Sequence, residues 1–99
     1  MGASKISHYT NTEIQRALVG RALAHPARIR IIEHLQEGKF TRPIDLTELL
    51  QLNPASVHNH IKKLLAAELV QLEFNKNAYR LHLNHSRLEK FIFYVNQSD

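Results

Sequence analysis

Ser56, Asn59, Lys62 and Lys63 recur at spacings that bring them to one side of an α-helix turning about 100° per residue, together with the small residues Ala55 and Ala66. That combination has a definite chemistry. Side-chain amides bond adenine edges, lysines reach phosphates or guanine, and small residues let a helix backbone approach the floor of a major groove. His58 and His60 stand at the two boundaries of this side, and Lys76 and Arg80 follow further along the chain. Ser56, His58 and Asn59 are the expected contacts at or near base edges, Lys62 suits bases or phosphates, and His60, Lys63, Lys76 and Arg80 suit phosphates. Protonation of His58 and His60 would then tighten binding below about pH 6.5. Two adjacent lysines also occur on ordinary solvated helices, so the neighbouring elements must decide between the readings.

The helix that carries these residues starts at Asn53, whose side-chain oxygen can cap it, with Pro54 at the first helical position where a missing N–H costs nothing. Its opposite side holds Val57, Ile61, Leu64 and Leu65. Beyond Leu69, Val70, Leu72 and Phe74 alternate with Gln71 and Glu73, and Tyr79, Leu81 and Leu83 alternate with Arg80 and His82, which predicts two amphipathic strands. Asn75-Lys76-Asn77-Ala78 joins them, its two asparagines tolerating left-handed backbone in a tight turn. Upstream, Asp45-Leu46-Thr47-Glu48-Leu49-Leu50 reads as a short helix separated from the next by only Gln51 to Asn53, a helix-turn-helix spacing. A helix-turn-helix running into a basic-tipped hairpin is a winged helix-turn-helix, mainly α with a small β wing.

The rest of the chain frames that unit. Residues 1–10 are small and polar and read as a loose arm; Thr10 or Thr12 can cap a first helix to about Leu23 with Ile14, Ala17, Leu18 and Ala22 in a stripe. A second helix begins at Pro26 and stops before Gly38, with Ile29, Ile32 and Leu35 inward and Arg28, Arg30, Glu33 and Glu37 outward. Lys39 to Pro43 is a connection able to add a third strand to the hairpin. Asn84 or Ser86 caps a last helix over about 84–95, with Leu88, Phe91, Ile92 and Val95 on one side, a stripe that either closes the core or waits for a partner. At 99 residues the whole length fits one small domain, which buries a modest fraction of its surface.

Two stretches resemble the ArsR-type bacterial repressors. Their pattern Ser-x-His-Leu-x-x-Leu-x-x-Ala-Gly-Leu-Val is met by His58, His60, Ile61, Leu64, Ala67, Glu68, Leu69 and Val70, with His58 in place of the usual Ser and Glu68 in place of the usual Gly. Leu23, Pro26 and Arg28 are similar to the family's Leu-x-x-Pro-x-Arg opening of its second helix. The resemblance covers most of residues 15–83. It implies a homodimer in which the first and last helices pair across a two-fold axis, through Ile14, Leu18, Leu88, Phe91, Ile92 and Val95, and which binds a pseudo-palindromic operator in double-stranded DNA to regulate transcription in a bacterial cytoplasm. The family's thiol metal sensors carry Cys-x-Cys ahead of Asp-Leu, where this chain has Arg42 and Ile44. Its zinc sensors use Asp-x-His and His-x-x-His or Glu, which anchored on His85 fall on Leu83, Asn96 and Asp99.

Composition narrows the remaining classes. Net charge is +4, but residues 39–80 hold only six Lys and Arg against four Asp and Glu, so basicity favours a polyanionic partner only weakly. No cysteine is present, which removes disulfides, thiolate zinc sites and thiol redox sensing. Of the seven histidines, His25 reads as a cap, His34 as a surface residue, and His82 and His85 straddle a strand end and a helix start, unlike a preorganised ligand pair. No metal or cofactor is expected, and no effector can be named. A zinc-responsive repressor using His85 and a winged helix serving as a protein-interaction module stand as alternatives. No phosphate-cradling glycine loop or Gly-x-Ser-x-Gly context suggests an enzyme, and no apolar run is long enough to span a bilayer. Met1-Gly2 opens like a myristoylation site, but Ile6 stands where Ser or Thr is required.

Overall fold

The computed structural model describes residues 8–97, so most of the expected arm, the Met1–Gly2 segment and Asp99 lie outside the described residues. The elements are α1 (Asn11–Ala22), α2 (Pro26–Gln36), α3 (Asp45–Leu50), α4 (Pro54–Ala66), β1 (Val70–Asn75), β2 (Ala78–Leu83) and α5 (His85–Gln97). This is the mainly helical winged helix-turn-helix read from the sequence. Three of the helix starts have a plain local cause. Thr10 and Glu13 form a reciprocal capping box on α1, the Thr10 Oγ1 accepting from the Glu13 N–H at 3.1 Å and the Glu13 carboxylate from the Thr10 N–H at 2.8 Å. The His25 Nδ1 accepts from the Ala27 N–H at 3.0 Å ahead of Pro26, and the Asn53 Oδ1 from the Ser56 N–H at 2.9 Å ahead of Pro54. Gly38 ends α2 by taking φ 75°, a left-handed conformation that costs glycine nothing.

Ile31 of α2, Leu46 of α3, Leu64 of α4 and Leu69 just after it are fully buried, so the core lies where three helices meet the base of the hairpin. Burial of each such side chain contributes roughly 1.5–3 kcal/mol. The strands pair antiparallel with Val70 opposite Leu83, Leu72 opposite Leu81 and Glu73 opposite Arg80. Their tip is a two-residue turn in which Lys76 (φ 50°) and Asn77 (φ 69°) are both left-handed, the geometry that matches the twist of a hairpin. The left-handed pair is therefore Lys76 and Asn77 rather than the two asparagines.

Several expectations about burial are corrected. In α2 the inward set is Ile31, Ile32 and Leu35, while Ile29 is exposed and Arg28, expected outside, is half-buried. In α1 Val19 is buried and Ala17 exposed. The sheet has two strands, not three: the Leu81 N–H donates to the Thr41 carbonyl at 2.8 Å, but Pro43 has no N–H with which to extend a ladder and Phe40 is exposed. The outer half of the wing projects past the core, leaving Leu72, Phe74 and Tyr79 exposed although they alternate as core residues would.

Candidate nucleic-acid interface

The helix α4 is held from behind and open in front. Val57, Ile61 and Leu64 are buried, whereas Ala55, His58, Asn59, Lys62, Lys63 and Ala66 are exposed and Ser56 is half-buried beside the cap. No acidic residue occurs anywhere in α4. At its far end Glu68 takes φ 59°, and the N–H groups of Glu68 and Leu69 donate to the carbonyls of Leu65 and Leu64 at 2.9 and 3.0 Å. This is the glycine-type helix stop built on a side-chain-bearing residue, which costs about 1 kcal/mol. It fixes the angle at which the chain leaves α4 for the wing. The front of α3, across the three-residue turn, carries Thr47 and Glu48, and Gln51 in that turn is left-handed at φ 56°.

His60 does not stand with the outer face. Its ring packs on that of His25 at 4.4 Å between centroids, which sets the start of α2 against the flank of α4. Burial, with the charges of His25 and Arg28 adding to it, pushes the His60 pKa below the usual imidazole value. Any tightening from a protonated His60 would therefore come at a lower pH than the 6.5 read from the sequence. His58 is exposed on the opposite boundary. Beside His60 the Arg28 Nε is buried without a hydrogen-bond partner.

On the wing, Lys76 sits exposed at the tip, but Arg80 is not a free cation. Its Nε donates to the Glu73 Oε1 at 3.0 Å, and the His82 Nε2 lies 2.8 Å from the same oxygen and 2.9 Å from the Arg80 Nε. The hydrogen bond from His82, joined by the charges of His82 and Arg80, holds the Glu73 carboxyl below its usual range. The guanidinium also stands over the Phe40 ring at 5.3 Å. The signal for this triad was the two-residue turn, which places Glu73 directly opposite Arg80.

The other candidate surface is formed by α1 and α5. Asn84 caps α5, its Oδ1 accepting from the Arg87 N–H at 3.2 Å and its Nδ2 donating to the Glu68 carbonyl at 3.0 Å. Arg87 ties α5 to α4 and α1, donating to the Ala67 carbonyl at 2.9 Å and to Gln15 at 2.6 Å. Leu88 lies within the subunit's own core and Phe91 is half-buried against Gly20. Ile14 and Leu18 are half-buried, whereas Ile92, Val95 and Phe93, which the stripe had omitted, are exposed.

Against known proteins, a profile described as bacterial regulatory protein, arsR family, matches residues 25–71. The cadmium metal-sensor CMTR from Mycobacterium tuberculosis is 35% identical over 75% of this chain and 75% of its own, with a TM-score of 0.62. The chain belongs to the ArsR family. An ArsR-like transcriptional regulator from Rhodococcus sp. RHA1 matches 89% of the chain and 82% of its own at 20% identity and TM-score 0.79. The homodimeric winged helix-turn-helix DNA-binding domain of Mb0332 from Mycobacterium bovis matches 92% and 88% at 17% identity and TM-score 0.71. These two show the same fold. No curated protein matches in sequence. Family and fold together make this chain a winged helix-turn-helix transcriptional regulator, a class that is generally not enzymatic. Among the described residues no helix is long and apolar enough to cross a membrane.

The two metal positions that the family resemblance implies hold other groups among the described residues. At the positions of the thiol pair, Arg42 is clamped to Asp45 through an Nη2 to Oδ1 contact of 2.9 Å, which holds the carboxyl below its usual range, and Ile44 offers no donor. At the zinc position, Leu83 is a buried hydrocarbon beside His85. Among the described residues, no group of three or more His, Cys, Asp or Glu could hold an ion.

Proposed function

We propose that this ArsR-family chain, a single winged helix-turn-helix domain over residues 1–99, is a sequence-specific repressor. It acts in a bacterial cytoplasm as a homodimer on a pseudo-palindromic operator. The observation that carries the reading is the outer face of α4: exposed Asn59, Lys62 and Lys63 flanked by Ala55 and Ala66, with no acid in the helix. Each subunit lays α4 in one major groove, with half-sites about one helical turn apart. Ser56, His58 and Asn59 read base edges, Lys62 reaches bases or phosphates, and Lys63 and Lys76 hold the backbone, joined by Arg80 once it leaves Glu73. The dimer forms through α1 and the exposed part of α5, with Phe93 joining Ile14, Leu18, Phe91, Ile92 and Val95.

The competing reading, a winged helix that docks protein, draws on the exposed Phe74–Tyr79 pair on the wing, with ring centroids 4.8 Å apart. Fluorescence titration of labelled duplex against salt separates the two. A dimer neutralising six to eight phosphates gives a slope of log K on log salt of roughly −5 to −7. Lys76→Ala would lower that slope and weaken specific and random duplex about equally. Salt-independent binding, or no binding at low salt, would favour the protein-docking reading.

A further inference from the structure

Three groups on the outer side of the wing cannot all be satisfied by one state of the His82 ring. The Arg80 Nε–H points at the Glu73 Oε1, the His82 Nε2 lies within hydrogen-bond distance of both, and one ring nitrogen cannot at once accept from Arg80 and donate to Glu73. With the Nε2 lone pair free, His82 accepts from Arg80, and the guanidinium is gripped by two acceptors. With a hydrogen on that nitrogen, as in one neutral tautomer and always in the imidazolium, His82 donates to Glu73, and the Arg80 Nε–H faces another N–H at 2.9 Å. The guanidinium must then move away.

We propose that His82 makes DNA binding proton-linked at each wing: the neutral ring has a tautomer that holds Arg80 together with Glu73, and protonation removes that tautomer, transfers Glu73 to the imidazolium and releases Arg80 to the phosphate backbone. The proposal rests on the DNA-binding reading of the same surface. Arg80 moving to a phosphate would leave the Glu73 carboxylate uncovered beside a polyanion, and the proton on His82 covers it. DNA and proton therefore raise each other's affinity by the same factor. The groups that face the triad do not abolish this coupling. Lys39, paired to Glu37 at 3.1 Å, and His85 line a cavity of about 210 Å³ with Arg80 and His82, and Gln71, opposite His82, is uncharged. The paired Lys39 adds little net charge, and protonation of His85 would push in the same direction as that of His82, driving the guanidinium out.

The test measures affinity for a selected operator at pH 6 and pH 8 at constant ionic strength, for the full chain, Glu73→Gln and His82→Asn. The expected result is binding tighter by about tenfold at pH 6, since imidazoles titrate inside this interval. Glu73→Gln should bind more tightly than the native chain at pH 8, because an uncharged amide holds Arg80 less firmly than the carboxylate does, and both variants should show a flattened pH ratio. A gain in affinity is not what a damaged wing would give. A pH ratio that both variants retain, or weaker binding by Glu73→Gln at pH 8, would overturn the proposal. A second arm needs no DNA: in the free protein the Arg80 Nε–H NMR signal should shift with the same midpoint as the His82 ring, and in Glu73→Gln the two should separate. A chain that binds no duplex at either pH would sink the functional reading. An Arg80 signal indifferent to His82 would sink the triad on its own.

Discussion

The helices α4 and α5 are alike in length, cap and amphipathic pattern and opposites in the fold. Each has 13 residues, each is started by an asparagine cap, and each carries an apolar stripe at helical spacing. In α4 the stripe of Val57, Ile61 and Leu64 is buried in the subunit and the polar side is bare. In α5 only Leu88 is buried, and Ile92, Phe93 and Val95 remain exposed. Amphipathic spacing thus shows that a helix has a side to hide, not whose surface hides it. On this account α4 has its back to the core and its front to DNA, whereas α5 has its back to a second subunit.

The sharpest way to break that contrast is to cut each stripe. Leu64→Ala leaves a cavity at a fully buried site and should lower subunit stability by about 2–5 kcal/mol at any protein concentration. Chemical denaturation at two concentrations a hundredfold apart checks it. Phe93→Glu should act the other way, leaving the subunit nearly intact while removing roughly 1.5–3 kcal/mol of apolar burial per side from the dimer. Sedimentation should show monomers, and an unchanged dimer would move the interface off this part of α5. Phe93 is a cleaner probe than Phe91, whose ring packs on its own α1 at Gly20.

Smaller effects sharpen the picture of how α4 is held. Glu68→Gly should raise thermal stability by about 0.5–1 kcal/mol, because glycine relieves the left-handed backbone at φ 59° and loses part of that gain through its freer unfolded chain. Loss of stability would mean that Glu68 makes a compensating contact. The burial of His60, with His25 and Arg28 beside it, should make the fold acid-sensitive. His60 is depressed in the folded state, so its contribution is complete above the unfolded value near 6.5 and is lost as pH falls through it towards the lower folded one. Thermal melts from pH 7.5 to 5 should fall less steeply in His60→Asn.

Most of the architecture was legible because it is written in local signals: Asn53-Pro54 and His25-Pro26 start helices, Gly38 stops one, and two alternating runs around a two-residue turn make a hairpin. What escaped depends on the third dimension. The rotation of α2 that buries Ile31 instead of Ile29 follows from where α3 and α4 press on it. His60 looked like a surface cation because spacing gives an angle around α4, not the presence of His25 beside it. Arg80 was readable as basic, yet its neutralisation by Glu73 becomes visible only once the strand register is fixed. The exposed end of α5 is the same case: Phe93 falls outside the stripe that the subunit uses and inside the one left bare.

The account's central claim is that the outer face of α4 reads sequence, and selection from a random duplex library tests it most directly. The native chain should enrich a two-fold symmetric motif with half-sites about one helical turn apart. Asn59→Ala, bound to the same library, should lose about 1–3 kcal/mol of discrimination at one position in each half-site while its affinity for random duplex hardly changes. Enrichment of no motif, or an Asn59→Ala profile identical to that of the native chain, would contradict the claim.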